Sequence, residues 1–362
     1  MQHHFKTFAT DFQLILDRAS EWRARIEMIK NARRFLYVST YYIEYDNYAI
    51  EFFSELTKAV GRGVRVTVVI DAFGQKLSSN LMAKTGRRLL RKAFDAFHKN
   101  GGEIICYRPP KILQKLLGTG YHIKYQVSEE GRILFASSNI SQMSYNRWFE
   151  FAVMLNGPVS VIMLEDLFQI LENPNREDLD FLKRQIQNQA VAKEQNYAFE
   201  FFTYVPAIDP SPFSPIRQYW TNPITTGLIK SINQAQKKIE LTSFYFKPHP
   251  KLFDAIESAA KRGVRVEIHH SHRGALAGVT RLPWLAASAR YPRLLRQSVK
   301  IYEHLQGQHT KFVLIDDRIA WLGSYNFEHS ADDRLAEAML VTEDAMIVKE
   351  IRTFFDELKN DE

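Results

Sequence analysis

Short apolar runs alternate along the chain with stretches whose apolar residues recur at helical spacing. Residues 35–39 and 64–70 are rich in β-branched and aromatic side chains, which predicts two buried strands, and residues 49–60 between them have a helical period. Ahead of these, the apolar positions of residues 11–32 predict one long helix. Strands that alternate with helices are typical of an α/β domain with a mixed or largely parallel sheet.

The second half of the chain repeats this order of elements. Residues 239–246 and 264–269 predict strands, with a helix at 251–262 between them, and the string RGVRV occurs at 62–66 and again at 262–266. Between the halves, a Gln- and Asn-rich stretch gives way to a Pro-rich one. The pattern predicts two pseudo-symmetric domains at residues 1–195 and 221–362, each a mixed sheet flanked by helices, with a linker at 196–220.

Length and composition agree with two folded domains. The 362 residues are 45% hydrophobic and 25% charged, as in globular proteins. A net charge of +7 favours an anionic partner, either nucleic acid or an anionic membrane surface. The single cysteine, Cys106, cannot form an internal disulfide and fits a reducing compartment. With no secretory signal and no apolar run long enough to span a bilayer in the sequence, we expect a cytoplasmic protein that acts on lipid from the membrane surface.

One set of polar residues occurs twice in the sequence. Six positions of the first half recur 187 positions later, in the same order and with the same spacing. The first set is His122, Lys124, Glu129, Ser137, Asn139 and Glu150, and the second is His309, Lys311, Asp316, Ser324, Asn326 and Glu337. Such a register is far more specific than a lone motif and predicts two copies of one half-site.

The residue types of the repeat suit a phosphodiester. Residues two apart on a strand share a face, so each copy presents imidazole with ammonium, and hydroxyl with amide. Together they predict a cationic, donor-rich pocket for a phosphate group. Two imidazoles at one phosphorus suit a two-step displacement, in which one attacks and the other acts as acid and then base. Glu150 and Glu337 are predicted to orient the imidazoles, or else to be salt-bridge partners at strand ends.

The second copy, HTKFVLID followed by GSYN, matches the motif H-x-K-x4-D with G-S-x-N in full, whereas the first has Glu129 for the Asp and Ala136 for the Gly. In these motifs the chain resembles the phospholipase D superfamily, and within it the sequence is most similar to cardiolipin synthase-like phospholipid transferases. The resemblance implies two phospholipase D-like domains with the active site at their interface, and a phosphohistidine intermediate. It implies His122 as nucleophile and a supporting role for Glu129 and Asp316.

Other features leave alternatives open. Equivalent predicted strands end in Tyr41-Tyr42 and Phe244-Tyr245, and these aromatic residues either line the pocket or pack in the core. Asp71 and His269, also at strand ends, are candidate wall residues. Residues 269–272 (HHSH) lack the carboxylate or cysteine that would complete a metal site, so no metal and no cofactor are predicted. The basic, apolar stretches 111–117 and 275–296 either lie on an anionic membrane or cover the sheet as ordinary helices.

The function that the sequence favours is phosphatidyl transfer or phospholipase D activity on an anionic phospholipid, with an alcohol or water as acceptor. A nuclease of the same superfamily is the alternative, since the same groups would cleave a nucleotide diester and the net charge suits it. A non-catalytic scaffold fits less well, because His, Lys, Ser and Asn are all present in both copies.

Overall fold

The computed structural model describes residues 4–190, 196–206, 222–276 and 281–360. These residues form two compact units. The N-terminal unit is Thr7–Tyr197, and the C-terminal unit is Ala198–Glu362 together with Met1–Lys6.

The N-terminal unit is built on a seven-stranded sheet with strand order β2-β9-β8-β7-β3-β4-β5. Strands β3, β4 and β5 run parallel, and the remaining pairs are antiparallel. The elements are β2 (Asp11–Ile15), α1 (Arg18–Asn31), β3 (Phe35–Thr40), α2 (Asn47–Gly61), β4 (Arg65–Asp71), α3 (Ala72–Leu81), α4 (Lys84–Lys99), β5 (Glu103–Tyr107), α5 (Ile112–Leu116), β6 (Gly120–Tyr121), β7 (Tyr125–Ser128), β8 (Arg132–Ala136), α6 (Gln142–Asn146), β9 (Ala152–Asn156), α7 (Pro158–Phe168) and α8 (Arg176–Ala190).

The C-terminal unit is built on a second mixed sheet, in which the strands follow the order β1-β10-β16-β15-β14-β11-β12-β13. Its elements are β1 (His4–Ala9, whose last three residues belong to the N-terminal unit), β10 (Tyr197–Tyr204), α9 (Pro223–Gln234), β11 (Lys238–Ser243), α10 (Pro250–Lys261), β12 (Arg265–Ser271), α11 (Arg281–Ser288), α12 (Tyr291–Leu295), β13 (Lys300–His304), β14 (Phe312–Ile315), β15 (Ile319–Gly323), α13 (His329–Asp333), β16 (Leu335–Thr342) and α14 (Ala345–Asn360).

The two sheets have the same internal topology. The order β9-β8-β7-β3-β4-β5 in one corresponds strand for strand to β16-β15-β14-β11-β12-β13 in the other. In both, the first three strands of the α/β repeat are parallel, and the two strands after the HxK motif pair in antiparallel fashion. The duplication predicted from the sequence, and the α/β class with two mixed sheets, are therefore present in the structure.

The repeated RGV string has a structural cause. The guanidinium of Arg62 donates to the carbonyl of Ile29 at 2.8 Å, near the end of α1, and that of Arg262 donates to the carbonyl of Ile232 at 3.1 Å, near the end of α9. Each arginine thus satisfies carbonyls that the end of a helix leaves without an intrahelical partner. Gly63 and Gly263 follow with φ of +88° and +90°, a backbone conformation that favours glycine.

The helix predicted over residues 11–32 is wrong in its first part. Residues 11–15 form the edge strand β2, paired with β9, and α1 begins only at Arg18. Asp17 caps that helix, accepting a hydrogen bond from the N–H of Ser20 at 2.7 Å. Two apolar residues at alternating positions, Phe12 and Leu14, fit a half-buried strand as well as a helix, and the cap decides where the helix starts.

The region between the predicted domains is only partly described. Residues 197–204, inside the predicted linker, form β10, which pairs antiparallel with β16. The Pro-rich residues 207–221 lie outside the described part of the chain. No helix among the described residues is both long and apolar enough to cross a membrane.

Candidate active site

The first half-site lies on a short extended segment between β6 and β7. His122 and Lys124 are both buried there. The ammonium of Lys124 donates to the carbonyl of His122 at 2.6 Å and lies 5.5 Å from the centre of the Tyr41 ring. Ser39, on the neighbouring strand β3, donates to the carbonyl of Ile123 at 2.7 Å. These bonds hold the segment so that imidazole and ammonium have defined positions.

Tyr41, just beyond the end of β3, packs edge-on against His122, with 4.7 Å between ring centres and 83° between ring planes. Asn139 fixes this aromatic residue, because its side-chain oxygen accepts from the N–H of Tyr41 at 3.2 Å. Of the two roles left open for Tyr41, the structure thus shows direct contact with the motif histidine.

A serine and a glutamate form the other side of this half-site. Ser137, after β8, donates to the carboxylate of Glu150 at 2.5 Å and accepts from the N–H of Phe151 at 2.9 Å. All of these groups are buried. A hydroxyl held between a carboxylate and a backbone N–H is fixed in direction, and a carboxylate fixed in this way is suited to accept a hydrogen bond from an imidazole.

The second half-site reproduces the first. His309 and Lys311 are buried on the segment before β14, and the ammonium of Lys311 donates to the carbonyl of His309. Phe244 packs edge-on against His309, with 4.9 Å between ring centres and 89° between ring planes. The side-chain oxygen of Asn326 accepts from the N–H of Phe244 at 3.3 Å.

Ser324 and Glu337 repeat the serine–glutamate pair. The hydroxyl of Ser324 donates to the carboxylate of Glu337 and accepts from the N–H of Ala338 at 3.0 Å. The two copies therefore agree in the contacts of each repeated side chain as well as in sequence spacing.

The two carboxylates of the repeat that follow the lysines have a different role. Asp316 lies just after β14, at the end away from Lys311, and accepts from the N–H groups of Gln236, Lys237 and Lys238 at 2.7–2.9 Å. Burial by itself raises the pKa of Asp316, but these N–H donors outweigh it and leave the pKa lowered. Asp316 thus ties the loop between α9 and β11 to the end of β14.

Glu129 does the same in the first copy. Its carboxylate accepts from the N–H of Arg33 at 2.6 Å, in the loop between α1 and β3. Glutamate and aspartate hold equivalent loops, which is in keeping with the predicted supporting role for this pair.

A further pair of residues, at the ends of β4 and β12, anchors the motif segments. Asp71 accepts from the N–H of Tyr121 at 2.8 Å and from that of Gly74 at 2.7 Å. Ser271 occupies the equivalent place and accepts from the N–H of Gln308 at 2.9 Å. Burial raises the pKa of Asp71 to about 7, against the lowering effect of the N–H donors and of Lys124. Asp71 thus contacts the residue directly before His122 and holds the motif segment, a role that its predicted place as a wall residue did not include.

Two buried polar clusters behind the serines were not predicted. In the first, Arg25 donates to Glu21 at 3.2 Å and to the hydroxyl of Tyr145 at 3.1 Å, and Ser138 donates to Glu21. Sequence reasoning missed it because a Glu–Arg pair four apart on a helix normally faces water.

The C-terminal unit has a counterpart with different chemistry. Tyr325 donates to the carboxylate of Asp332 at 2.5 Å, and Thr225 donates to the same carboxylate at 2.6 Å. Tyr325 and Asp332 stand 187 positions after Ser138 and Tyr145. Both clusters lie directly beside the repeated serine and asparagine, and they brace the segments that carry them.

The histidines at 269 and 270 belong to the interior. His269 stacks on Tyr302 with 4.5 Å between ring centres, and its Nδ1 lies 3.1 Å from Nε2 of His304. Burial lowers the pKa of His269 to about 3 and that of His270 to about 4, so both are neutral at pH 7. The hydroxyl oxygen of Tyr291 lies 2.7 Å from Nε2 of His270. Within the described ranges, no three His, Cys, Asp or Glu side chains form a group that would hold a metal ion.

Comparisons with known proteins extend over both units. Residues 25–171 and 228–359 match the family model described as "Cardiolipin synthase, PLD-like domain". Cardiolipin synthase from Staphylococcus aureus strain Mu50 is 24% identical over 366 residues, which cover 98% of this chain and 68% of the relative. Cardiolipin synthase B from Salmonella typhimurium strain LT2 is 24% identical over 354 residues, covering 94% and 78%.

Two solved structures share the fold. Phosphatidylserine synthase from Haemophilus influenzae superposes with a TM-score of 0.72 at 15% identity, covering 97% of this chain and 87% of the other. Polyphosphate kinase from Porphyromonas gingivalis gives a TM-score of 0.57 at 12% identity, covering 96% and 50%. At these identities the likeness is one of fold, and it confirms the predicted fold class.

Proposed function

The chain belongs to the cardiolipin synthase family of phospholipase D-like domains, as its HxK motifs predict, and from this membership we propose that it moves a phosphatidyl group from a phospholipid phosphodiester to an alcohol or to water. The chemistry is that of a phosphatidyltransferase enzyme of the phospholipase D superfamily. The observation that carries the proposal is the duplicated half-site, in which two buried histidines each have a lysine, a serine–glutamate pair and an asparagine.

In the first step, the imidazole of His122 attacks the phosphorus of the bound diester. A phosphorus–nitrogen bond forms as the bond from phosphorus to the departing alcohol breaks, and the departing oxygen takes a proton from His309. The products of this step are the free alcohol and a phosphatidyl group on His122. His122 must be deprotonated and His309 protonated at the start, so activity requires one of each.

In the second step, the acceptor replaces the departed alcohol. Its hydroxyl gives a proton to His309 as its oxygen attacks phosphorus, and the phosphorus–nitrogen bond breaks to restore His122. Every proton taken in one step is returned in the other. With a second phosphatidylglycerol as acceptor the product is cardiolipin, and with water it is phosphatidic acid.

The remaining groups of the half-sites stabilise charge and fix orientation. Lys124 and Lys311 supply ammonium groups for the non-bridging phosphate oxygens, and the amide groups of Asn139 and Asn326 donate beside them. The hydroxyls of Ser137 and Ser324 donate to Glu150 and Glu337, so they act at the phosphate through those carboxylates. Glu150 and Glu337, each held by its serine, keep the imidazoles in the required tautomer. The two buried lysines balance the negative charge of the transferring group and the amides donate hydrogen bonds to it, so the proposed steps need no metal ion.

The test is incubation of the purified protein with vesicles of labelled phosphatidylglycerol, with and without added glycerol, followed by separation of the lipids. Cardiolipin or an exchanged headgroup is the expected product. Phosphatidic acid alone would identify water as the acceptor. A preparation that leaves the lipid intact and cleaves DNA would reject the lipid substrate and establish the nuclease alternative, which the net charge of +7 also suits.

A further inference from the structure

An apolar stripe runs along the exposed side of α3. Phe73, Leu77 and Leu81 recur at every fourth position, so they lie on one face of the helix, and all three are exposed, Leu81 to 58%. Gly74 and Ser78, on the opposite face, are buried. The large apolar side chains of α3 thus face outward, the reverse of what a helix packed on a water-soluble core requires.

Helix α5 also exposes its apolar side chains and buries a polar one. Ile112, Leu113 and Leu116 are exposed, Ile112 to 75% and Leu116 to 78%, whereas the polar Gln114 is fully buried. Scattered exposed leucines are ordinary, but an apolar helix face turned outward while an amide is buried is not.

These two faces join into one surface. Gly118, two residues after the end of α5, has φ of +72°, and the Phe73 ring from α3 lies over it. A Cβ atom at Gly118 would come within 2.8 Å of that ring, so a larger residue would displace the ring, and the positive φ also favours glycine. We call this surface the α3–α5 patch and define it by Phe73, Leu77, Leu81, Ile112, Leu113 and Leu116.

Only cations flank the patch along the chain. No acidic residue occurs between Asp71 and Asp95, or between Glu103 and Glu129. These two segments contain exposed Lys76, Lys84 and Lys115 beside the patch. An apolar surface on two segments that carry lysines and no acidic residue is complementary to an anionic bilayer, where apolar side chains enter the acyl boundary and lysines meet the headgroups.

The patch is also continuous with the first half-site. The chain passes from the end of α5 at Leu116 through Gly118 to His122 within six residues. Asp71 accepts from Gly74 in the first turn of α3 and from Tyr121 beside His122, so one carboxylate joins the patch to the motif segment.

We propose that the α3–α5 patch docks on the surface of an anionic bilayer and delivers headgroup phosphodiesters to the first half-site. The docking is a property of the patch itself, whereas the delivery rests on the proposed function. Of the two basic, apolar stretches in the sequence, this assigns membrane contact to 111–117. Within 275–296, Arg293 binds Asp254 and Glu257 of α10 at 2.6–2.9 Å, as in a helix that covers the sheet.

The experiment is co-sedimentation of the full chain with vesicles of phosphatidylcholine, with and without phosphatidylglycerol. The test variant is the double substitution Ile112→Glu with Leu116→Glu, and Leu81→Glu is a second variant on the regular helix α3. The matched control is Ile50→Glu with Met346→Glu, which adds two carboxylates at other exposed apolar positions. Turnover is measured on vesicles and on a short-chain phosphatidylglycerol that dissolves as monomers.

We expect the test variant to lose at least about tenfold in affinity for the anionic vesicles, with Leu81→Glu intermediate and the control unchanged. Turnover on vesicles should fall in parallel, while turnover of the monomeric lipid stays at the level of the unsubstituted chain. Vesicle binding that survives in both variants, or is lost equally in the control, would overturn the proposal. So would equal binding to neutral vesicles, or capture of an acidic protein in place of vesicles. Normal vesicle binding without lipid turnover by the unsubstituted chain would reject the proposed function and leave the docking surface intact.

Discussion

The carboxylate of Asp71 accepts a hydrogen bond from the N–H of Tyr121 at 2.8 Å, while the hydroxyl of Ser271 accepts from Gln308 at 2.9 Å in the equivalent place. The two half-sites therefore use a titratable group and a non-titratable group for the same contact. The duplication is symmetric in the repeated side chains of the two half-sites and asymmetric in the residues that anchor them.

This asymmetry predicts a pH dependence of stability. Because burial raises the pKa of Asp71 to about 7 from 3.8, the folded protein holds a proton that the unfolded chain releases between these values. Stability should thus rise as the pH falls from about 7 to about 4. Asp71→Ser should remove about 1 kcal/mol per pH unit of that rise. Denaturant unfolding at several pH values measures it.

One substitution and one other buried carboxylate serve as references for Asp71. Ser271→Ala removes the equivalent acceptor without a titratable group, so it should lower stability and leave the slope with pH unchanged. Burial also raises the pKa of Asp332 to about 7. Asp332 therefore contributes to the change of stability with pH in every variant that retains it. If the unfolding free energy of the Asp71→Ser protein changed with pH as steeply as that of the unsubstituted chain, Asp71 would not be the group that holds the extra proton in the folded state.

Variants that lack His122 or His309 should differ in whether a phosphoenzyme still forms. His122→Ala and His309→Ala are each expected to lower turnover by about a thousandfold or more, because each removes a group needed in both steps. With a nitrophenyl diester, whose leaving group needs no acid, His309→Ala should still accumulate a phosphoenzyme, and His122→Ala should not. Mass spectrometry of the intact protein detects the adduct. His98→Ala, an exposed position on α4, is the control, and full activity in either single variant would refute the two-histidine mechanism.

The serine–glutamate pairs can be tested with changes that preserve their size. Glu150→Gln retains an oxygen that can accept from Ser137 but removes the charge that stabilises an imidazolium. We expect a folded protein with turnover about 10 to 100 times lower. Glu337→Gln should behave alike. A Ser137→Ala, Glu150→Gln double variant should lose less than the sum of the single losses in activation free energy, since the pair acts as a unit. Full activity of Glu150→Gln would make the carboxylate purely structural.

Asp316 should matter for stability and little for chemistry. Asp316→Ala leaves three backbone N–H groups without their acceptor, which should cost about 2–3 kcal/mol of unfolding free energy. The turnover number of the folded fraction should stay within about twofold. Thermal melts and active-site titration separate the two quantities. Asp180→Ala, at an exposed position on α8, is the control, and a large fall in turnover at normal stability would assign Asp316 a catalytic role.

The residue before each repeated serine offers a matched pair of substitutions. A Cβ at Gly323 would overlap the carbonyl oxygen of Ala338 on β16, so Gly323→Ala should lower the unfolding free energy by about 2 kcal/mol or more. The equivalent Ala136 already has its methyl group, and Ala136→Gly should cost only about 1 kcal/mol. Equal effects in the two halves would mean that the strands adjust freely to the extra methyl.

The sequence predicted the features that repeat and missed those that depend on one particular packing. Register preserved over six polar positions made the half-sites visible, and the RGVRV string located β4 and β12. The contact of Asp71 with Tyr121 depends on where β4 and β6 meet, which local pattern cannot give. The Glu21–Arg25 pair has the spacing of a solvated helix face and is instead buried against Ser138, so only the fold distinguishes the two.

The tethers formed by Glu129 and Asp316 imply an order in which the two copies of a duplicated enzyme diverge. A carboxylate that only holds a loop tolerates exchange for its homologue, because an extra methylene still reaches a backbone N–H. A histidine that forms a bond with substrate tolerates none. Drift should therefore accumulate first at the fifth position after the lysine, and a search that demands aspartate there would discard half-sites such as the one that contains His122.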